Sequence, residues 1–231
     1  MKLRHRGEEP ALPARASVDA YDRARRLQRV TEALAEAITP QQVLDAILTE
    51  GVRAAEARAG AIAVLSEDGE KIEFHALRGY PAPLLDHWKR FPLEEDVPMS
   101  RVVRTGEPLF IASRQERNEL FPHLAGDGGE SHALAVLPLA IENRVIGAMA
   151  LSFGEDMQFG LERREMKVTL ARQAAQALER ARLYEAEQAL RRRMSFLAEA
   201  SELLSSSLEY DRSRGWRSSP SPASPTGARS T

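Results

Sequence analysis

The sequence predicts an α+β domain built around a twisted antiparallel sheet, and three observations support this fold class. Short apolar runs separated by turn residues recur between residues 59 and 153, as expected for neighbouring strands. The last of these runs, VIGAMALSF, leads into a long amphipathic segment that begins near Leu161. Two helical segments separated by a break precede the first run. Helices are therefore expected to flank the strands at both ends of the domain.

The composition fits a folded domain and excludes several kinds of site. The chain has 231 residues, 43% of them apolar, and a formal net charge of −2, so nothing global favours specific binding of nucleic acid. It contains no cysteine, which excludes disulfides, thiolate metal sites and cysteine nucleophiles. No apolar run approaches the roughly 20 residues of a membrane helix, and the N-terminus lacks the apolar segment of a signal peptide. We expect a soluble, cytoplasmic product.

The N-terminal segment is expected to contain a tail and two helices. Residues 1–16 are charged and contain proline, which predicts disorder, and the amphipathic pattern over residues 17–39 predicts an entry helix. A second helix is predicted to start after Thr39, because a threonine followed by proline and then glutamine at the third position forms a capping box. This helix is expected to end near Ala57.

The first two strands are predicted to form a hairpin. AGAIAVLS is the first strand, and alternation of apolar and polar residues in KIEFHALR indicates the second. The Asp68-Gly69 pair between them is the strongest local hairpin signal. Gly79-Tyr80-Pro81 ends the second strand. Residues 82–91, which include LLDHWKRF, are predicted to form a short helix that Pro92 stops.

The middle of the chain is predicted to alternate helices with short strands. LEEDVPMSRVVRTGEPLFIAS predicts a helix with Gly106 at its C-cap and a short strand at 109–112. RQERNELFPHLAG predicts a further helix, and residues 126–129 predict a flexible loop. SHALAVLPLA and VIGAMALSF, joined by the turn IENR, then predict a second hairpin.

Three segments together resemble the GAF domain, a small-molecule-sensing module of bacterial signalling proteins. They are SRVVRTGEPLFI, the hairpin LAVLPLAIENRVIGAMALSF, and the run from Val145 to Glu185 in which this last strand feeds the exit helix. The resemblance covers about residues 24–190 and assigns 40–184 to the domain itself. It implies a GAF/PAS-like sheet of five or six strands, with entry and exit helices on one face and short segments over the other. Another α+β domain with the same alternation is the alternative.

The resemblance also implies a function. A GAF domain without catalytic residues is a sensor, most simply the N-terminal part of a bacterial receptor such as a sensor histidine kinase. The chain contains no ATP-binding glycine boxes, P-loop, GxSxG or HExxH motif. We therefore expect no enzyme activity in this chain. A freestanding enzyme on a GAF scaffold and a structural dimerisation module remain the alternatives.

The cofactors known in the family exclude some classes of ligand for this chain and identify none. Covalent bilin attachment and methionine sulfoxide reduction both need cysteine, which the chain lacks. GAF domains that hold haem use a histidine, so His87, His123 or His132 would be the axial ligand. A surface or hydrogen-bonded histidine is the simpler interpretation, and no haem is expected. The asparagine–lysine–phenylalanine–aspartate–glutamate motif of cyclic-nucleotide-binding members is absent. The cofactor or ligand is not identified by the sequence.

A ligand pocket is expected between the sheet and the segments 79–131 that cover it. Such a site needs apolar walls and a few polar groups. The candidate residues are Phe74, Trp88, Arg101, Arg104 and His132. Core packing of the tryptophan and a solvated helix face for the arginines are the alternatives. We interpret the acidic cluster Glu94–Asp96 as negative charge before a helix N-terminus rather than as a catalytic pair. No metal site is predicted.

The exit helix is predicted to support dimerisation. Leucines recur every seven residues at Leu183, Leu190, Leu197 and Leu204. The companion positions are poor, so a long coiled coil is not assured; they are Ala186, Arg193, Ala200 and Ser207. We expect a homodimer through the entry and exit helices.

The C-terminal end is predicted to be the start of a second domain that does not follow. FLAEASELLSSSLEYD resembles the entry helix LQRVTEALAEAITPQQ, so residues 185–211 are interpreted as a signalling helix and the start of a truncated GAF-like repeat. Residues 212–231 are rich in serine, proline and arginine, which predicts disorder. The abrupt change suggests a frameshift or premature stop, and a natural disordered tail is the alternative.

Overall fold

The chain folds around one antiparallel sheet. The structure, a computed structural model, describes residues 12–80, 88–125 and 131–215, with backbone alone for 12–19 and 202–215. Within these ranges the sheet has six strands in the order β3-β2-β1-β6-β5-β4. The strands are β1 Ala59–Leu65, β2 Lys71–Arg78, β3 Arg90–Pro92, β4 Leu109–Ile111, β5 Leu134–Ile141 and β6 Arg144–Ser152. The expected α+β class with a sheet of five or six antiparallel strands is confirmed.

Two helical segments precede the sheet, as the sequence predicts. Helix α1 spans Leu12–Glu36, so it begins earlier than the expected position at Ser17. Helix α2, Pro40–Ala46, continues through a π-helical turn at Ile47–Gly51 into α3, Val52–Ala54. The predicted capping box is present: the Thr39 hydroxyl accepts from the Gln42 amide at 3.3 Å, and the Gln42 side chain accepts from the Thr39 amide at 3.1 Å. Disorder is predicted for residues 1–16; of these, residues 12–16 are helical in α1, and residues 1–11 lie outside the described residues.

Both predicted hairpins are present. Gly69 has φ +75 in the turn between β1 and β2, which is a conformation that favours glycine. Asp68 closes this turn by accepting a hydrogen bond from the Glu70 amide at 3.1 Å. β5 and β6 pair along their whole length, and the turn between them places Glu142 at φ +52. The two hairpins join where β1 pairs with β6, which makes one continuous sheet.

The short helix predicted for residues 82–91 is wrong at its C-terminal end. Residues 81–87 lie outside the described residues, but Arg90–Pro92 form the edge strand β3, antiparallel to the start of β2. Phe91 lies opposite Ile72 and is buried, with its ring centroid 5.9 Å from that of Phe74. Pairing with an open strand edge and burial of this ring override the local helical pattern.

Short helices follow β3 on the pocket side of the chain. Helix α4 spans Pro98–Thr105, and the predicted C-cap Gly106 has φ +69 and donates to Val102 O at 2.9 Å. Helix α5 spans Arg114–Leu120 and leads into a 3-10 turn at Pro122–Leu124. The loop predicted at 126–129 lies outside the described residues.

The exit helix α6 spans Leu161–Gly215 and begins where the sequence predicts it. The chain divides into two compact units, residues 1–185 with the sheet and residues 186–231. Disorder is predicted for residues 212–231; of these, residues 212–215 are helical, and residues 216–231 lie outside the described residues. In the part of the chain that is described, no helix is long and apolar enough to cross a membrane.

The two faces of the sheet carry different cores. The first core joins α1, α2 and the first part of α6 to strand residues with long side chains, among them Ile62, Leu137, Met149 and Leu151. The second core lies on the opposite face and uses the intervening residues Ala61, Ala63, Val136, Ala148 and Ala150 with segments from β3 and α4. Along β1 and β6, alternation therefore assigns large residues to one face and alanines to the other.

Candidate functional site

A cavity of about 150 Å³ lies on the small-residue face of the sheet. Its floor is formed by β1, β2, β5 and β6, and its cover by residues near β3, α4 and α5. Most of the surface is apolar. The lining residues are Ala61, Phe74, Leu77, Tyr80, Trp88, Phe91, Val97, Pro98, Met99, Arg117, Leu124, Ser131, Leu134, Val136, Ala150 and Ser152. This is the place between the sheet and its covering segments where a pocket is expected from the sequence.

The cavity exists because its floor is made of small side chains. Ala150 on β6 lies beside Ala61 on β1 and Val136 on β5, so three adjacent strands present short side chains at the same level. All three residues are at least nine-tenths buried. Their side chains are too short to reach the covering segments, and the remaining volume stays open.

Aromatic rings form one wall. The Trp88 and Phe91 rings meet edge to face with centroids 5.4 Å apart, and Phe74 stands 5.9 Å from Phe91 in a tilted arrangement. Edge-to-face and offset contacts are the favoured geometries for such pairs. β2 and β3 thus contribute a stable apolar surface that can accept a flat or branched apolar group.

Two hydroxyl groups lie at the other end of the cavity. Tyr80 OH and Ser152 Oγ are hydrogen-bonded to each other. Tyr80 is held there by Gly79, which has φ +79 and passes so close to the Arg58 carbonyl that a Cβ would lie 2.6 Å from its oxygen. Burial raises the pKa of Tyr80, while Ser152 and Arg117 oppose this shift. The phenol is therefore neutral and keeps a proton to donate.

Arg117 is the cation of the site. It lies on α5, whose N-terminus is fixed by Ser113 Oγ accepting from the Glu116 amide at 3.1 Å. Its side chain is 6% exposed and its Nη1 donates to Ser131 O at 3.2 Å, whereas its buried Nε has no hydrogen-bond partner. Burial lowers the pKa of Arg117, Arg114 adds to this effect, and Tyr80 opposes it. The guanidinium nevertheless remains charged, because an arginine keeps its proton in proteins.

Two of the five residues proposed from the sequence line the cavity, and three lie elsewhere. Phe74 and Trp88 are in the aromatic wall. Arg101 lies over the Phe121 ring, 4.3 Å from its centroid, and pairs with Asp96 at 3.2 Å.

The remaining two are engaged at the surface. Arg104 donates to Glu94 O at 3.2 Å, and His132 Nδ1 lies 3.2 Å from Asp156 Oδ1. A role of Arg101, Arg104 and His132 in ligand binding stays a prediction.

Of the other two histidines considered as haem ligands, His123 is described and does not line the cavity. His87 lies outside the described residues. His123 is exposed in the 3-10 turn and contacts the Phe121 ring edge to face. Among the residues that are described, no group of three or more His, Cys, Asp or Glu side chains is placed to hold a metal ion.

Sequence reasoning missed Tyr80, Arg117 and Ser152. Arg117 stands in RQERNEL, where three other charged residues surround it and suggest a solvated helix face. Only the tertiary fold, which brings α5 against Ser131 at the start of β5, buries its guanidinium. A usable signal for the cavity itself was present, because alanine alternates with larger residues in both AIAVL and AMALS.

Comparison with known proteins identifies the fold and one family. The GAF domain model matches residues 37–179. No curated protein matches the chain significantly in sequence.

Several solved structures share the fold. The chain is similar to the GAF domain of a phosphoenolpyruvate-protein phosphotransferase from Coxiella burnetii, with a TM-score of 0.60, 20% identity, and coverage of 73% of this chain and 99% of that one. It is similar to the GAF-B domain of DevS from Mycobacterium smegmatis, with a TM-score of 0.50, 20% identity, and coverage of 65% and 98%. It is also similar to free methionine-R-sulfoxide reductase from Neisseria meningitidis, with a TM-score of 0.59, 13% identity, and coverage of 79% and 98%. At these identities the likeness concerns the fold alone.

Proposed function

Because the chain belongs to the GAF domain family, we propose that it is a non-catalytic sensory domain of a bacterial two-component receptor and works in the cytoplasm. A small molecule binds in the cavity over β1, β2, β5 and β6, and its binding changes the state of α6. The observation that carries this proposal is the cavity itself, which combines apolar walls with a few buried polar groups at one end.

Strand β6 provides a direct mechanical link between the cavity and α6. Ala150 lines the cavity, and the next residue, Leu151, belongs to the core that contains Leu170 and Leu178 of α6. A ligand that spreads or tightens the strands therefore acts on the residues against which α6 packs. The signal is a shift between two packings, biased by a ligand that prefers one of them.

The C-terminal part of α6 supports dimerisation. In residues 186–231 the exposed side chains Leu190, Met194 and Leu197 follow helical spacing on one face. A second copy of the chain is the proposed occupant, because heptad-spaced leucines favour pairing with an identical helix. Dimer formation pairs the C-terminal parts of the α6 helices of two sensory domains.

The sensing proposal is tested by binding to the full chain. Native mass spectrometry of the protein isolated from its own cells, followed by a thermal-shift screen of small metabolites, is expected to reveal a ligand that raises Tm. Ala61→Leu, which fills the cavity, is expected to abolish that shift. The matched control Ala189→Leu, on the exposed face of α6, keeps it. A ligand shift that survives Ala61→Leu would contradict binding in this cavity.

The dimer is tested by sedimentation equilibrium. The double variant Leu190→Lys and Leu197→Lys is expected to raise the dimer dissociation constant at least tenfold. The control Gln188→Lys and Ser195→Lys adds the same charges at the same spacing on another face of α6 and leaves it nearly unchanged. A monomeric wild-type chain, or equal effects of both double variants, would overturn the proposed interface.

A further inference from the structure

Arg117 carries a positive charge in the cavity wall, and no carboxylate among the described residues pairs with it. Its side chain is 6% exposed. Its hydrogen bond goes to a neutral carbonyl, Ser131 O, and its buried Nε is unpaired among the described residues. A buried charge without a counterion is costly to stability, so an arrangement of this kind needs a compensating function.

We infer that the ligand is a small monocarboxylate with an apolar body, and that its carboxylate pairs with Arg117. The inference rests on the proposed sensing role of this cavity and adds the chemical class of the ligand. A guanidinium presents parallel N–H donors that match the two oxygens of a carboxylate. The ligand supplies the anion that the described residues do not.

The hydroxyl pair fits the same ligand. Tyr80 OH and Ser152 Oγ together hold two protons, and the hydrogen bond between them uses one. The second proton is free to be donated to a carboxylate oxygen. A neutral hydroxyl and a guanidinium at one end of the cavity thus favour an anionic acceptor over a donor group such as an amine.

The other end of the cavity sets the size and polarity of the ligand. Its wall consists of Phe74, Trp88 and Phe91, and a dry apolar cavity of about 150 Å³ holds one benzene-sized molecule. An aromatic or branched aliphatic acid fits these dimensions. A dicarboxylate or a nucleotide would place a second charged group against apolar side chains, which disfavours both.

The test compares acids with their neutral amides. Propionate, isovalerate and benzoate, each paired with the corresponding amide, are titrated into the full wild-type chain by isothermal calorimetry and protein-detected NMR. At least one acid is expected to bind ten or more times more tightly than its amide. Arg117→Met, which keeps an unbranched apolar stem and removes the charge, is expected to eliminate this preference while leaving amide binding within about twofold. Arg144→Met, at the exposed start of β6 and outside the cavity lining, is the matched control and retains it.

A second measurement does not depend on the variant folding. In wild-type protein, the Arg117 Nε–H resonance is expected to shift on titration with the best acid and not with its amide. If no acid binds better than its amide, or if Arg117→Met keeps the preference, the anion site is overturned. If amides and acids bind in the cavity with equal affinity, the anion site is overturned but the proposed sensing role is not. Binding of every probe outside the cavity would refute both proposals.

Discussion

The two faces of the sheet are built from the same strands but serve different purposes. On the face towards α1 and α6, Leu137, Met149 and Leu151 are completely buried in a continuous core. On the other face their immediate neighbours Val136 and Ala150 line a cavity of about 150 Å³. The difference shows that side-chain size at neighbouring strand positions separates a filled core from a face that keeps an open volume.

The strongest way to test this comparison is to truncate one side chain on each face. Leu137→Ala removes a fully buried side chain from the helix-packed core, and we expect a loss of about 2–5 kcal/mol in the free energy of unfolding. Val136→Ala removes two buried methyl groups beside a cavity that is already present, and we expect a smaller loss of about 1–2 kcal/mol. Urea denaturation followed by circular dichroism measures both. Equal losses would mean that the two faces contribute alike to stability.

The sequence specified most of the helix-packed face in advance. Periodic apolar residues in the entry and exit helices, the Thr39 capping box and the Asp68-Gly69 turn are local signals, and each is found in the structure as expected. Local signals suffice here because helix periodicity and turn chemistry depend on residues close in sequence.

The pocket face was predicted less well because it depends on contacts between distant segments. Trp88 and Phe74 were found as aromatic residues near the sheet, but the strand at Arg90–Pro92 was mistaken for helix because its partner β2 is non-local. Arg117 could not be distinguished from a solvated arginine, because its burial depends on tertiary contacts with residues distant in sequence, among them Ser131 and Tyr80. Residues in loops and at helix ends do not follow helix or strand periodicity, so the sequence pattern does not reveal a site that they form.

Lys167 is the exception within the well-packed face. It is 1% exposed on α6, with its ammonium 5.2 Å from the Phe153 ring centroid and 5.7 Å from that of Phe159. Burial lowers the pKa of Lys167 to about 8; Arg163 lowers it further, and Glu56 opposes the shift. Two aromatic faces compensate part of the desolvation cost. The charged form is therefore disfavoured in the folded state.

Replacing this lysine is expected to strengthen the helix-packed face. Lys167→Met should raise the free energy of unfolding by about 1–3 kcal/mol at pH 7. The folded-state pKa lies below the ordinary value of 10.5, so the unfolded chain binds more protons between about pH 8 and 10.5. Wild-type stability should consequently rise with pH across that window, relative to the variant, and the gap should close above it. Chemical denaturation of both proteins at several pH values measures the difference in their free energies of unfolding. A difference that does not change with pH would rule out titration of Lys167 as its cause.

The smallest expected change in stability is also the most specific test of the cavity. Ala150→Val and Ala135→Val add the same two methyl groups to buried alanines on neighbouring strands, but on opposite faces of the sheet. Ala135→Val overpacks a full core and should cost about 1–3 kcal/mol. Ala150→Val extends into open volume, so we expect a change below about 1 kcal/mol, together with at least tenfold weaker binding of the best acid from the titration series. Denaturation and calorimetry on both variants separate the two effects, because Ala135→Val should reduce stability while leaving ligand affinity within about threefold. If Ala150→Val instead destabilised the protein as much as Ala135→Val, the volume beside Ala150 would be closed, and the division between a stability face and a binding face would not hold.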